Sequence, residues 1–208
     1  LQGHPFESTL SSQLSTNVIH AGELPSGDYE RLGQHFTPTL LLWAPLLGLI
    51  GGAALPLVQV GLITAAGLTL HRLALGLLPE RTANWLTYGF FAGNALTGPT
   101  LGNYTDLCQL PLAVFVLMLG LVERRRWWIT GAALWIPLIR EDTGVLLVAI
   151  GLWLMLRQRQ RWQFAMALIA WGGGWVLICT NLLMPLFSDD NAKRFMVENF
   201  GQYLGDEN

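Results

Sequence analysis

Apolar runs separated by short charged breaks constrain this chain more than any other feature. Leu55 to Leu78, Leu107 to Val122 and Trp162 to Phe187 come close to or pass the ~20 residues needed to cross the ~30 Å hydrocarbon layer of a bilayer. Further runs cover Phe36 to Ile50, Trp85 to Leu96, Trp127 to Ile139 and Val145 to Leu156. Of 208 residues, 52% are hydrophobic, only 12% are charged, and nine are Trp; a soluble domain carries about a quarter charged residues. Mean hydropathy is +0.42. The chain therefore reads as an all-α, polytopic helical membrane protein with about six spanning helices and one juxtamembrane helix.

The breaks set the organisation. Residues 1–54 read as an external loop, polar and turn-rich, with Pro25-Ser26-Gly27-Asp28 and Leu32-Gly33 as breakers. It ends in the juxtamembrane run Phe36 to Ile50, which opens behind the helix-start signal Thr37-Pro38, is interrupted by Pro45 and stops at Gly51-Gly52. Residues 55–187 make the transmembrane bundle, and residues 188–208 an external polar tail that opens a further loop or domain. Because the chain starts at Leu1 without Met and has no signal-peptide pattern, we expect a segment of a longer polytopic protein. If Leu55 to Leu78 runs inward, Arg72, Arg81, the Arg124-Arg125-Arg126 cluster and Arg157, Arg159 and Arg161 all fall on one side of the membrane. Most of the acids fall on the other. The positive-inside rule makes the arginine side cytoplasmic and places residues 1–54 and 188–208 outside.

Arg140-Glu141-Asp142 interrupts this pattern, because three ionisable residues sit between two apolar runs. At ~1.5 Å per residue, Trp127 to Ile139 reaches only ~20 Å, so these charges lie within the outer half of the membrane. Charges at that depth face a cavity or one another and count as a functional site. Arg140 suits a phosphate, since its planar guanidinium grips two oxygens at once; Glu141 and Asp142 suit a hydroxyl proton or a divalent cation. The same stretch also fits a self-neutralising turn, Arg140 paired with Glu141 or Asp142.

The topology brings other polar residues to that face: Asp28, Glu30 and His35 from the loop, Tyr104 and Asp106 from the approach to a span. Asp106 equally fits a helix cap. His35 fits a general base, a metal ligand or a hydrogen-bonding anchor. No two histidines stand at helical metal-ligand spacing. A net charge of -2, with no basic stretch interleaved with aromatics, excludes a nucleic-acid partner. Cys108 and Cys179 lie in apolar runs, where a thiol behaves as a small hydrophobe. Gly172-Gly173-Gly174 suits a bend or close helix packing, since the Lys-Ser/Thr of a phosphate-binding loop does not follow it.

Three stretches together resemble a known family: Leu32-Gly33-Gln34-His35-Phe36-Thr37-Pro38 leading into a Leu-rich, proline-broken helix, Asn103-Tyr104-Thr105-Asp106 before a span, and Arg140-Glu141-Asp142 opening another. Gly3-His4-Pro5-Phe6 and Ser8-Thr9-Leu10 extend the likeness across nearly the whole chain. The family is the bacterial predicted membrane proteins of domain of unknown function 2079, which is similar to the GT-C class of glycosyltransferases. Where that family often has Asp-Phe-His-Pro, this chain reads Asp106-Leu107-Cys108-Gln109. The resemblance implies a polytopic protein of the bacterial inner membrane that takes a sugar from a polyprenyl-phosphate donor at the outer face. An acid from the first external loop, Asp28 or Glu30, would activate the acceptor, with His35 among the catalytic groups. Arg140, Glu141, Asp142, Asp106 and Tyr104 would bind substrate, with or without a divalent cation. A transporter or flippase, or a noncatalytic membrane protein, is the alternative.

Overall fold

The computed structural model describes residues 35–93, 104–157 and 162–187. Among them every regular element is helical. Two compact units are distinguished, Thr37–Trp175 on the one hand and Leu1–Phe36 with Val176–Asn208 on the other, and each is described by itself.

In the larger unit a 3₁₀ turn, Pro38–Trp43, leads into the short helix α1, Ala44–Ile50. Gly51, at φ 66° and ψ −149°, breaks the run in a conformation that only glycine adopts readily. No residue of α1 is buried, and Leu49 is 80% exposed. Helix α2, Ala54–Leu75, has 22 residues and so spans about 33 Å, a bilayer's apolar thickness.

Helix α3, Glu80–Ala92, starts earlier than the apolar run at Trp85 suggests. Pro79 sets the entry and Glu80 complements the positive helix end, so the first turn is polar. Then follow α4, Leu110–Glu123, entered through the 3₁₀ turn Asp106–Gln109, α5, Arg126–Ile139, α6, Gly144–Arg157, and α7, Trp162–Ile178. In the smaller unit the chain continues through a π turn, Cys179–Leu183, to Met184–Phe187.

Among the described residues six helices have 13 residues or more, and three segments are long and apolar enough to cross a membrane: Pro38–Leu75, Asp106–Glu123 and Trp162–Leu186. Helices α3, α5 and α6 have 13 or 14 residues, about 20 Å each. The outer surface of the helices is apolar, with Leu57, Leu68, Trp127 and Leu156 all more than half exposed, as lipid-facing side chains are.

Helices α2 and α4 run parallel. The Thr105 N–H at the start of the α4 segment donates to Gln59 Oε1 near the start of α2 at 2.8 Å. At their other ends Arg72 meets Glu123 at 2.8 Å. The core lies among α4, α5, α6 and α7, with Leu117, Ile136, Leu147 and Leu154 fully enclosed. Glycines permit the close approaches. A Cβ on Gly151 would meet the Ala165 carbonyl at 2.8 Å, and one on Gly172 would run into the Gly144 carbonyl. The glycine triplet thus serves close packing at Gly172, while Gly174 faces open space.

Pro137 lies inside α5 and has no N–H to give the Ala133 carbonyl one turn earlier. Trp171 of α7 supplies the missing donor, its Nε1 standing 3.0 Å from that oxygen. Trp171→Phe should therefore cost about 1 kcal/mol in detergent unfolding. The same change beside Pro137→Ala, which restores the backbone donor, should cost less; equal losses in the two backgrounds would show that the indole N–H is not what counts.

Candidate functional site

Helix α5 ends where Arg140 becomes extended, at φ −160° and ψ 150°. Thr143 holds this end, its single hydroxyl proton shared between the Ile136 carbonyl, 2.5 Å from Oγ1, and the Arg140 carbonyl, 2.7 Å away. The Arg140 carbonyl also accepts the Thr143 N–H at 3.1 Å, so acceptors at the helix end are met inside the protein. Arg140 turns back on Asp142 in a two-pronged pair, Nε to Oδ1 at 2.7 Å and Nη2 to Oδ2 at 2.6 Å. The side chain of Arg140 is 22% exposed and that of Asp142 50%. Asp106 and Glu141 are both buried.

The turn that carries Asp106 packs against α5, which ends at Arg140, more than thirty residues further along the chain. Asp106 does not act as the helix cap its position suggests. Thr105 occupies the cap, and Asp106 Oδ2 is buried without a hydrogen-bond partner. Tyr104, just before this turn, is half-buried.

Gln109 Nε2 donates to Thr39 Oγ1 at 2.9 Å and to the Asp106 carbonyl at 3.3 Å. With Gln59 it ties the Pro38–Trp43 turn, α2 and α4 together at this end. Gln109 Oε1 is buried and unpartnered, as is Thr37 Oγ1. Gln59, Gln109 and Thr39 are polar residues that inspection of the charged groups alone overlooks. Their available signal is a glutamine inside an apolar run, where a polar side chain demands a partner.

The opposite end of the same unit carries Arg72, Glu123 and the three arginines Arg124, Arg125 and Arg126. Helix α5 runs from that cluster to Arg140, so the two groups of charges lie at its two ends. His35 belongs to the other compact unit and is half-buried. Asp28 and Glu30 lie outside the described residues. Among the described residues no group of three or more His, Cys, Asp or Glu is placed to hold a metal ion, so no step is derived through a cation.

A family model described as "Predicted membrane protein (DUF2079)" matches residues 1–208. The chain belongs to this family. No curated protein and no solved structure matches it. Membership of the DUF2079 family agrees with the apolar, all-helical build and the three segments of spanning length.

Proposed function

We propose that this DUF2079 member is a GT-C-like glycosyltransferase of the bacterial inner membrane that moves a sugar from a polyprenyl-phosphate donor to an acceptor on the noncytoplasmic face. In this proposal the three shorter helices also cross the bilayer, which they can do where it is thinned or where charged ends reach its surface. The observation that carries the reading is a buried carboxylate, Asp106, with an uncommitted oxygen, on a turn packed against α5, at the end of the bundle where Arg140 lies and away from the arginine cluster.

Arg140 would exchange its half-exposed partner Asp142 for the carrier phosphate. The acceptor hydroxyl oxygen attacks the anomeric carbon while the bond from that carbon to the carrier phosphate breaks. A carboxylate takes the hydroxyl proton; Asp106 supplies it, or Asp28 or Glu30 of the external loop. Glu141 and Tyr104 would shape the pocket.

The test is to supply the purified full-length protein, in lipid discs, with a panel of labelled polyprenyl-phosphate sugars and an acceptor extract. Wild type should transfer label, and Asp106→Asn should lose about 10²- to 10⁴-fold if Asp106 is the base. Absence of transfer from every donor rejects the enzyme. If a cysteine placed at Val145 is instead labelled by an impermeant reagent from each side in turn, the site belongs to a transporter.

A further inference from the structure

At the arginine end of the larger unit a cavity of about 540 Å³ opens between the α4–α5 hairpin and the first turn of α7, lined by Leu121, Arg124, Arg126, Ile129, Thr130 and Phe164. The charges around it are not equivalent. Arg72 and Arg125 share Glu123, at 2.8 and 3.6 Å, and both stand over the Trp128 ring, 5.4 and 5.9 Å from its centroid. Arg124 and Arg126 make no ion pair among the described residues. The cavity is therefore walled by the two guanidinium groups of the cluster that no carboxylate neutralises.

The backbone at Arg124 adds a second observation. It adopts the left-handed conformation, φ 58° and ψ 33°, and is the only non-glycine residue with positive φ among those described. This is the position after a helix end where glycine fits without strain. The Arg125 N–H closes the helix on the Gly120 carbonyl at 2.9 Å, a bond that asks nothing of the arginine side chain. An arginine held where glycine would serve the backbone better points to a use for its charge.

We propose that this cavity binds an anionic glycerophospholipid, its phosphate between Arg124 and Arg126 and the start of an acyl chain along Leu121, Ile129 and Phe164. Two unpaired guanidinium groups and the Thr130 hydroxyl offer donors to phosphate oxygens. The apolar side of the cavity would stay uncovered under a soluble anion but suits a hydrocarbon chain. Trp127, 87% exposed, and Trp128 lie one turn away, at the level where aromatic rings meet lipid headgroups. Basic pockets between membrane helices recognise such headgroups. The proposal is independent of the glycosyl-transfer reading, which concerns the other end of the bundle.

The test is native mass spectrometry of the full chain released from mixed phosphatidylglycerol and phosphatidylcholine. Wild type should retain phosphatidylglycerol preferentially. Arg124→Gly and Arg126→Gln should each lower that preference about fivefold, and the double variant about 25-fold. Arg124→Gly relaxes the backbone, so its melting temperature should match or exceed that of wild type, which separates lost binding from lost folding. Arg81→Gln, removing an exposed arginine from the start of α3, should leave the preference unchanged. Equal loss on Arg81→Gln would mean a diffuse charge effect and overturn the site, as would an unchanged preference in the double variant. Release of the lipid by inorganic phosphate would show that a soluble anion suffices, with the same consequence.

Discussion

If the chain transfers a sugar as proposed, Arg140→Ala should lower donor-dependent transfer by about 10²- to 10³-fold, the usual effect of deleting a group that meets charge on a leaving group. The pair with Asp142, at 2.6 Å, is the reason this result alone does not separate binding from architecture. Removing Arg140 takes a two-pronged, half-buried ion pair out of the turn that ends α5, and a charge stripped of its partner can destabilise a protein by about 3 kcal/mol when buried. Asp142→Ala makes the separation. Asp142 is half exposed, so its loss frees the guanidinium at small structural cost. If Arg140 binds the carrier phosphate, Asp142→Ala keeps or raises transfer and lowers the donor concentration required. If both alanine variants depress transfer alike, Arg140 and Asp142 form a structural turn and the phosphate role is wrong. Arg140→Lys keeps the charge but not the two-pronged grip, and should fall between alanine and wild type.

Gly172→Leu unfolds the packing of α6 against α7 and costs about 3 kcal/mol, at the upper end for inserting bulk into a filled site. A Cβ at Gly172 collides with the Gly144 carbonyl and approaches Leu147 Cβ at 2.9 Å. Backbone cannot step aside as a flexible side chain can. The consequence reaches the candidate site, because Gly144 directly follows the Arg140–Thr143 turn. Gly174→Leu, two residues along the same triplet, meets nothing within 4 Å and should change stability by less than about 0.5 kcal/mol. Unfolding in mild detergent with increasing denaturant measures both; comparable losses would show that the triplet serves flexibility instead of contact.

Much of the helical build was legible in the chain because lipid imposes a simple rule. A run of apolar residues long enough to cross must appear as such, and α2, the Asp106–Glu123 segment and the Trp162–Leu186 segment do so. The interruption at Arg140 was equally plain, since charges between apolar runs are conspicuous whatever they do. Helix α3 was harder, because its first turn at Glu80 is polar and its apolar content begins later. The role of Pro137 was hidden altogether. Whether a proline in a helix leaves an orphaned carbonyl depends on a donor from another helix, here Trp171.

The sequence by itself determined that this is a helical membrane protein, that arginines gather at certain breaks, and that an Arg-Glu-Asp stretch interrupts the bundle, since hydrophobicity and charge are properties of residues one at a time. Only the tertiary structure decided that Arg140 chooses Asp142 as its partner, that Asp106 stands inside the helix start and not at its cap, with a buried oxygen left unpartnered, and that Gln59 and Gln109 knit this end together. It likewise decided that Arg72 and Arg125 share Glu123 while Arg124 and Arg126 make no ion pair among the described residues. Pairing is a matter of distance between helices, and distances of a few ångströms between residues far apart in the chain are set by how the helices pack, which no local pattern encodes.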